Sequence, residues 1–258
     1  MSIWNPWHGC TKISPGCKHC YVYRRDAEIG KDSTVLQKNA AFDLPVSKNR
    51  KGGCRMLPDG DFVYTCLSSD FFHPDADAWR TEIWAMIKAR QDLSFFIITK
   101  RPERFYVSLP SDWGEGYANV HLSCTCENQE WADRRLPGFL ELPVRHRYIN
   151  LEPLLEAVNL EPYLACGHER ILEVSCGGES GDEARLCDYA WIMSLREQCL
   201  KYRVSFSFHQ TGANFRYNNR IYHIKRKYQH WQAKKAGIDY QNPEKILPKR
   251  GQQLFDFG

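Results

Sequence analysis

Three cysteines near the start of the chain are the residues best suited to metal chemistry. Cys10, Cys17 and Cys20 follow the spacing C-x6-C-x2-C, in a stretch that also contains Pro15 and Gly16. Proline and glycine interrupt regular helices and strands, so this stretch is predicted to be a loop. Cysteine thiolates are ligands for zinc and for iron–sulfur clusters. The spacing therefore predicts a metal-binding loop.

The number of available ligands helps to distinguish the two metals. A closed structural zinc site takes four ligands, usually as two closely spaced pairs. The next cysteine, Cys54, has no CxxC partner, although His8 and His19 could complete a zinc site. An iron–sulfur cluster held by three cysteines leaves one iron without a protein thiolate and open to a cofactor or substrate. The cluster is favoured, while a zinc site and three unrelated buried or paired cysteines remain as alternatives.

The cysteine loop is one of several short blocks that together resemble a known family. The blocks are residues 4–21, 68–72, 98–104, 119–123, 127–128, 151–155 and 177–181, within a span from residue 1 to about residue 212. They resemble a phage-type three-Cys-motif family of uncharacterised proteins that is regarded as radical-SAM-like. The first gap is longer here than in the C-x3-C-x2-C motif of the wider superfamily.

The resemblance implies a redox enzyme. It implies a 4Fe-4S cluster on Cys10, Cys17 and Cys20, with S-adenosylmethionine (SAM) chelating the fourth iron. An external electron donor would reduce the cluster, and cleavage of SAM would give a 5′-deoxyadenosyl radical that acts on an unidentified substrate, with nucleic acid repair or modification as the first candidate. The alternatives are a zinc-stabilised nucleic-acid-binding protein without catalysis and an accessory protein that needs a partner.

Short apolar segments alternate with amphipathic ones along most of the chain. Strands are predicted at residues 62–67, 94–98, 120–124, 147–151, 171–175 and 204–208, with a further strand at 2–4. Helices are predicted at residues 21–32, 77–90, 102–107, 128–135 and 188–201. This alternation is typical of parallel βα units. We therefore expect an α/β fold, specifically a partial or irregular TIM-like (β/α) barrel, with the radical SAM type following from the resemblance.

Polar or glycine residues follow each predicted strand, where a parallel barrel places its active site. The candidate cofactor-binding residues at these positions are Ser69, Asp70, Ser123, Glu127, Glu152, Gly177, Gly178 and Glu179. The candidate catalytic residues are Lys100, Cys124 and His209. For each of them, an ordinary turn, ion pair or buried thiol is the alternative interpretation.

Positive charge is concentrated at the end of the chain. The net charge is +4, but residues 216–258 contain ten Lys or Arg against three Asp or Glu, so they carry +7 and the preceding residues carry −3. Aromatic residues are interleaved with these cations, a combination that can bind nucleic acid. The alternative to nucleic-acid binding is a charged, solvated extension that merely packs an outer helix. We divide the chain into a barrel at residues 1–212 and a basic, aromatic C-terminal extension at 213–258 that packs on it.

The sequence contains no apolar run long enough to suggest a membrane span. Its first residues lack the basic and apolar regions of a signal peptide. A cytoplasmic protein without a membrane partner is therefore expected. The eleven cysteines would then stay reduced and available as ligands.

Overall fold

A computed structural model describes residues 2–245, in which strands and helices alternate around one central sheet. The strands are β1 (Ser2–Trp4), β2 (Trp7–His8), β3 (Gln37–Lys38), β4 (Phe62–Thr65), β5 (Ser94–Thr99), β6 (Val120–Thr125), β7 (His146–Leu151), β8 (Ile171–Gly177), β9 (Leu186–Asp188), β10 (Ser205–Gln210), β11 (Asn214–Tyr217) and β12 (Arg220–His223). The helices are α1 (Tyr21–Glu28), α2 (Asp77–Ala89), α3 (Gln129–Leu140), α4 (Glu161–Gly167), α5 (Tyr189–Lys201) and α6 (Arg226–Lys235).

The central sheet has seven strands, and all of its neighbouring pairs are parallel. Its strand order, β1-β4-β5-β6-β7-β8-β10, follows the chain without a reversal. Because parallel crossovers are right-handed, an order that never reverses puts the connecting helices on one face. The sheet curls into a half-barrel. The predicted α/β class and parallel βα units are confirmed, including the first strand.

The two faces of the sheet are filled differently. A large apolar core, which includes Trp84, Leu136 and Leu195, lies on the face covered by helices. On the concave face, a smaller aromatic cluster packs together and consists of Phe62, Tyr64, Phe96 and Tyr148. Aromatic side chains therefore form the base, or floor, of the concave face.

Several helices differ from the predicted ones. The predicted helix at 102–107 is a short 3-10 turn at Pro102–Arg104, and α1 ends at Glu28 rather than at residue 32. By contrast, α3 continues through Pro137 to Leu140, because Leu136, Phe139 and Leu140 are buried in the core. Tertiary packing outweighs the local cost of proline here.

The described part of the C-terminal extension consists of two strands and one helix. β11 pairs in parallel with β9 and antiparallel with β12, which forms a small three-stranded sheet. α6 packs against β10, and Tyr240 forms a bridge with Phe206 in the same strand. Residues 213–245 thus pack on the half-barrel. The rest of the predicted extension, 246–258, lies outside the described residues.

Helix length and cysteine pairing are two further features of the described residues 2–245. No helix in this part of the chain is long and apolar enough to cross a membrane. All eleven cysteines are free thiols.

Candidate functional site

A cavity of about 270 Å³ opens at the C-terminal ends of the strands, on the concave face of the half-barrel. Side chains two positions apart on single strands reach it, such as Phe96 and Ile98 on β5 and Ser123 and Thr125 on β6. This is the alternation expected for one face of a strand. The predicted site residues that line the cavity are Cys10, Cys17, Cys20, Ser69, Asp70, Lys100, Ser123, Glu152, Gly178, Glu179 and His209.

The three cysteines reach the cavity from a tightly folded loop. The backbone of Cys10 is fixed by a hydrogen bond from its N–H to the carbonyl of Ser33 at 2.7 Å. Cys17 ends the 3-10 turn Pro15–Cys17, and its N–H donates to the carbonyl of Ser14 at 2.9 Å. Cys20 directly precedes α1 as its N-cap. Each thiol therefore projects from a defined backbone position into one cavity.

The three thiols differ in acidity because their neighbours differ. Burial, reinforced by Asp70, raises the pKa of Cys10 to about 11, although Arg101 lies 3.7 Å from its sulfur and opposes the rise. Burial alone would raise the pKa of Cys17, but Lys100 and nearby hydrogen bonds lower it. Burial raises the pKa of Cys20. Cys17 is therefore the thiol most readily deprotonated.

Lys100 is the cation that faces these thiols. Burial disfavours its charge, yet Cys17, Glu127 and Cys20 together raise the pKa of Lys100. Its ammonium group forms no hydrogen bond or close ion pair with any residue from 2 to 245. Lys100 thus presents an unpaired positive charge to the cavity.

Asp70 connects the ends of β4 and β5 to the cysteine loop. Its carboxylate accepts hydrogen bonds from the Thr99 hydroxyl at 2.7 Å and from the Lys100 N–H at 2.9 Å. It also pairs with Arg101 at 3.2 Å, and Arg101 donates to the Thr11 carbonyl at 2.9 Å. The carboxylate of Asp70 is therefore used within the protein to orient Arg101 towards the loop.

Glu127 lies behind the cysteine loop rather than on the cavity wall. Its carboxylate accepts the Gly16 N–H at 3.0 Å and pairs with Arg135 at 2.8 Å, with both side chains almost fully buried. Burial opposes its charge, but Lys100 and Arg135 lower the pKa of Glu127. A side chain at Gly16 would meet this carboxylate at 3.0 Å. Glu127 thus supports the turn that carries Cys17.

The glycine-rich segment after β8 fastens the same loop from the other side. Glu179 forms two contacts with the guanidinium of Arg185, at 2.6 and 2.9 Å, and Arg185 also donates to the Pro15 carbonyl at 2.9 Å. Arg24 of α1 donates to the Ser180 carbonyl at 3.0 Å. We call residues 178–185 the latch segment. The carboxylate of Glu179 is already paired with a cation.

Gly177 and Gly178 serve close backbone packing at this point. A side chain at Gly178 would lie 2.2 Å from the Thr211 carbonyl oxygen, so only glycine fits there. Gly177 does not line the cavity but packs against Gln210 and Glu152. Both glycines are explained by contacts between strand ends.

The wall opposite the cysteines is formed by Glu152, His209 and part of the C-terminal extension. Glu152 contacts the imidazole of His209 at 2.5 Å. His230 of α6 contacts the carbonyl of His209 at 2.9 Å, and Arg226 of the same helix also lines the cavity. Arg226 and His230 were not predicted as site residues, because no local signal shows which face of an exposed helix meets a distant strand.

Cys124 differs from the other catalytic candidates in its position. It follows Ser123 on β6 and therefore points to the opposite face of the strand. Its side chain is 0% exposed and belongs to the core between the sheet and the helices. Cys124 does not line the cavity.

The cavity offers a donor set that suits an anionic iron–sulfur cluster and a carboxylate-bearing cofactor. Three thiols share it with the unpaired Lys100, and the Thr125 hydroxyl on its wall lacks a hydrogen-bond partner among the described residues. In residues 2–245, no three His, Cys, Asp or Glu side chains are grouped so that they could hold a single metal ion. In an iron–sulfur cluster each cysteine binds a different iron atom. The three thiols therefore need to surround a space that can hold the cluster, and need not converge on a single metal ion.

The two histidines proposed for a zinc site have carboxylate neighbours. His8 contacts Asp26 at 2.7 Å, and His19 contacts Glu183 at 3.2 Å. His8 does not line the cavity, whereas His19 does.

A family model matches nearly the whole chain. The family, described as "Protein of unknown function (DUF5131)", matches residues 1–243. Neither the curated proteins nor the solved structures give a significant match. The chain therefore belongs to this family of unknown function.

Proposed function

We propose that this member of the family is a radical SAM enzyme built on a partial TIM-like barrel. Cys10, Cys17 and Cys20 would hold a 4Fe-4S cluster, and SAM would occupy the neighbouring cavity. The observation that carries the proposal is the approach of three thiols from one loop to a cavity that also contains Lys100, whose ammonium group has no partner among residues 2–245. The resemblance of the cysteine loop and six other blocks to the radical-SAM-like, phage-type three-Cys-motif family supports the same function.

The cofactors supply the chemistry and the chain positions them. When bound on Cys10, Cys17 and Cys20, the cofactors would supply one-electron chemistry, namely the reductive cleavage of SAM to a 5′-deoxyadenosyl radical with an electron from an external donor. Lys100 pairs with an anionic group in the cavity, while Glu152 and His209 offer hydrogen-bonding groups on the opposite wall. The aromatic cluster closes the floor of the concave face and excludes water. Free thiols suit a reducing, cytoplasmic compartment.

The substrate we favour is nucleic acid, to be repaired or modified. The cavity is bordered by Arg226 and His230 from the basic C-terminal extension, so a cation of this extension, Arg226, adjoins the reaction space. Nucleic acids carry the phosphates that such cations neutralise. The oligomeric state does not enter this proposal.

Cleavage of SAM tests the proposal. Protein reconstituted without oxygen, then given dithionite and SAM, is expected to release 5′-deoxyadenosine, measured by liquid chromatography. Cys17→Ala should abolish this release, whereas Cys166→Ala should preserve it because Cys166 is exposed and does not line the cavity. Equal release from wild type and Cys17→Ala, or no release from wild type with a full cluster, would contradict the proposal.

A further inference from the structure

A second concave surface lies on the other side of α6 from the cavity. This groove, of about 740 Å³, is lined by Tyr189, Phe208, Thr211, Phe215, Tyr217, Tyr222, His223, Ile224, Lys225, Tyr228, Gln232, Lys235 and Ala236. Six of these residues are aromatic, and none of the described lining residues is acidic. The groove thus combines ring faces with positive charge.

Three of its rings are exposed, and one of these, Tyr217, packs against a neighbouring ring. Tyr217 and Tyr222 are each 44% exposed and Tyr228 is 46% exposed. Tyr189 meets Tyr217 edge to face at 5.1 Å between ring centroids, and the buried rings of Phe215 and Phe208 stack at 6.2 Å. Exposed aromatic surface is typical of a binding site. A planar ligand could stack on the exposed rings.

The lysines around these rings are not neutralised by carboxylates. Among residues 2–245, Lys225, Lys227, Lys234 and Lys235 form no ion pair with an acidic side chain. Some lysines elsewhere do, such as Lys88, which pairs with Asp112, and Lys201, which pairs with Glu161. The groove therefore carries net positive charge that a polyanion would neutralise.

α6 separates the groove from the cavity and contributes to both. Arg226 and His230, four positions apart, share one face of the helix and line the cavity. Tyr228, Gln232 and Lys235 lie on another face and line the groove. A ligand in the groove thus lies one helix away from the cavity.

We propose that this groove binds single-stranded nucleic acid beside the cavity. Unpaired bases stack on the exposed tyrosines, and the lysines neutralise the phosphates between them. In a duplex the faces of the bases already stack on one another and cannot stack on tyrosine. The exposed rings therefore favour binding of a single strand. The binding itself is independent of the proposed reaction, whereas its role in presenting a substrate to the cavity rests on the proposed function.

Fluorescence anisotropy with labelled oligonucleotides tests the binding. The full chain, purified without oxygen and with its metal content measured in the same sample, is titrated with oligo(dU) and oligo(rU) of about twenty nucleotides, longer than one stacking platform covers. A duplex of the same length is the comparison. Single strands are expected to bind at least about tenfold more tightly than the duplex, as stacking on a few rings allows. The tighter of the two single strands identifies the sugar.

Two kinds of variant separate stacking from charge. Tyr228→Ala should weaken binding roughly tenfold without changing its salt dependence, because it removes a stacking surface and no charge. Lys225→Gln should reduce the slope of log affinity against log salt by about 0.7, the value for one phosphate contact on a single strand. The matched controls Tyr106→Ala and Lys88→Gln change an exposed ring and an exposed lysine that do not line the groove, and should have no effect.

The outcomes distinguish this inference from the proposed function. Tighter or equal binding of the duplex, no binding, or binding unaffected by both groove variants would overturn the inference. A dimer in light scattering that Tyr228→Ala dissociates would overturn it in favour of a second copy of the chain. If the protein cleaves SAM but gives one of these results, only the groove proposal is wrong. If the groove binds single strands but the protein contains no iron, the groove proposal stands and the proposed function is wrong.

Discussion

At the scale of single residues, Lys100 is the charged residue of the described site that lacks a direct hydrogen-bond or ion-pair partner for its side chain. Its charge is maintained by Cys17, Glu127 and Cys20, but its ammonium group has no direct partner in residues 2–245. The Lys100 side chain is half-buried at the cavity and can form a charge-assisted hydrogen bond with an anionic ligand there. Lys100 should therefore contribute to cofactor affinity.

Replacement of Lys100 by methionine tests this contribution. The variant keeps a similar shape but removes the charge, so SAM should bind about 10 to 100 times more weakly, as expected for one lost charge-assisted hydrogen bond. Equilibrium dialysis of the anaerobic protein would measure this dissociation constant. Lys88→Met, which alters an exposed pair with Asp112, is the control. Unchanged affinity in Lys100→Met would show that the lysine does not meet the cofactor.

Asp77, on α2, contributes to the stability of the fold and does not line the cavity. Its carboxylate pairs with the buried Arg80 at 2.7 Å and with Arg104 at 2.6 Å. Burial opposes its charge, but these two arginines lower the pKa of Asp77 below the usual 3.8. The stabilisation is therefore complete above pH 3.8 and is lost as the pH falls through the lower pKa of the folded state.

Asp77→Asn should consequently lower the free energy of unfolding by about 1–2 kcal/mol at pH 7, a modest value because Asp77 is partly exposed. The difference from wild type should shrink as the pH is lowered below 3.8. Urea unfolding of both proteins over this pH range would measure it. A difference that does not depend on pH would mean that the charge of Asp77 is not its source.

At the scale of elements, the latch segment holds the cysteine loop to the late part of the sheet. Gly181 has a φ of +104°, and a side chain there would lie 1.4 Å from the guanidinium of Arg24. Displacing Arg24 would break its hydrogen bond to Ser180. The latch therefore depends on the absence of a side chain at this position.

Gly181→Ala should weaken the latch and expose the cysteine loop. We expect a loss of about 1–2 kcal/mol in the free energy of unfolding, together with faster removal of iron by a chelator. Gly30→Ala is a matched control, because Gly30 also has a positive φ, +67°, but a side chain there would meet nothing within 4 Å. If both variants release iron at the same rate, the contact with Arg24 is not what secures the loop.

The strands of the central sheet could be predicted from the sequence, whereas the small sheet could not. β4 to β8 and β10 are short segments rich in apolar residues because one face of the sheet packs in the core under the helices and the other carries the aromatic cluster. All four residues of β12 are exposed, so it carries no apolar pattern, and only its pairing with β11 makes it a strand. α6 is also mostly exposed, and its side chains reach the cavity through contacts that are distant in sequence.

The sequence predicts those parts of the site that depend on where strands end and on which face of a strand each side chain lies. The polar residues after the strands do converge on one cavity, since parallel strands end at the same edge. Side chains alternate between the two faces of a strand, so Ser123 and Thr125 of β6 share one face and Cys124 lies on the other. This rule would have excluded Cys124 from the predicted site and included Thr125. The pairing of Glu179 with Arg185 and the position of Glu127 behind the loop depend on side-chain contacts that local sequence does not encode.

At the scale of the whole molecule, the N-terminal cysteine loop and the described part of the C-terminal extension meet at one cavity. The N-terminal loop contributes the cysteines, and the basic C-terminal extension contributes Arg226 and His230 to the same cavity. One cation of this extension, Arg226, therefore lies at the same cavity as the thiols, while Lys225 and Lys235 line the groove on another face of α6. This arrangement would bring a negatively charged polymer to the place where we propose that the radical forms.

Metal analysis of protein purified and reconstituted without oxygen is the most direct test of this account. The wild-type chain should contain about four irons and a matching amount of sulfide, because three thiolates bind one 4Fe-4S cluster. Cys17→Ala should lose most of this iron, while Cys166→Ala retains it. A colourless wild-type protein that contains zinc, or iron that does not depend on Cys17, would contradict the central claim.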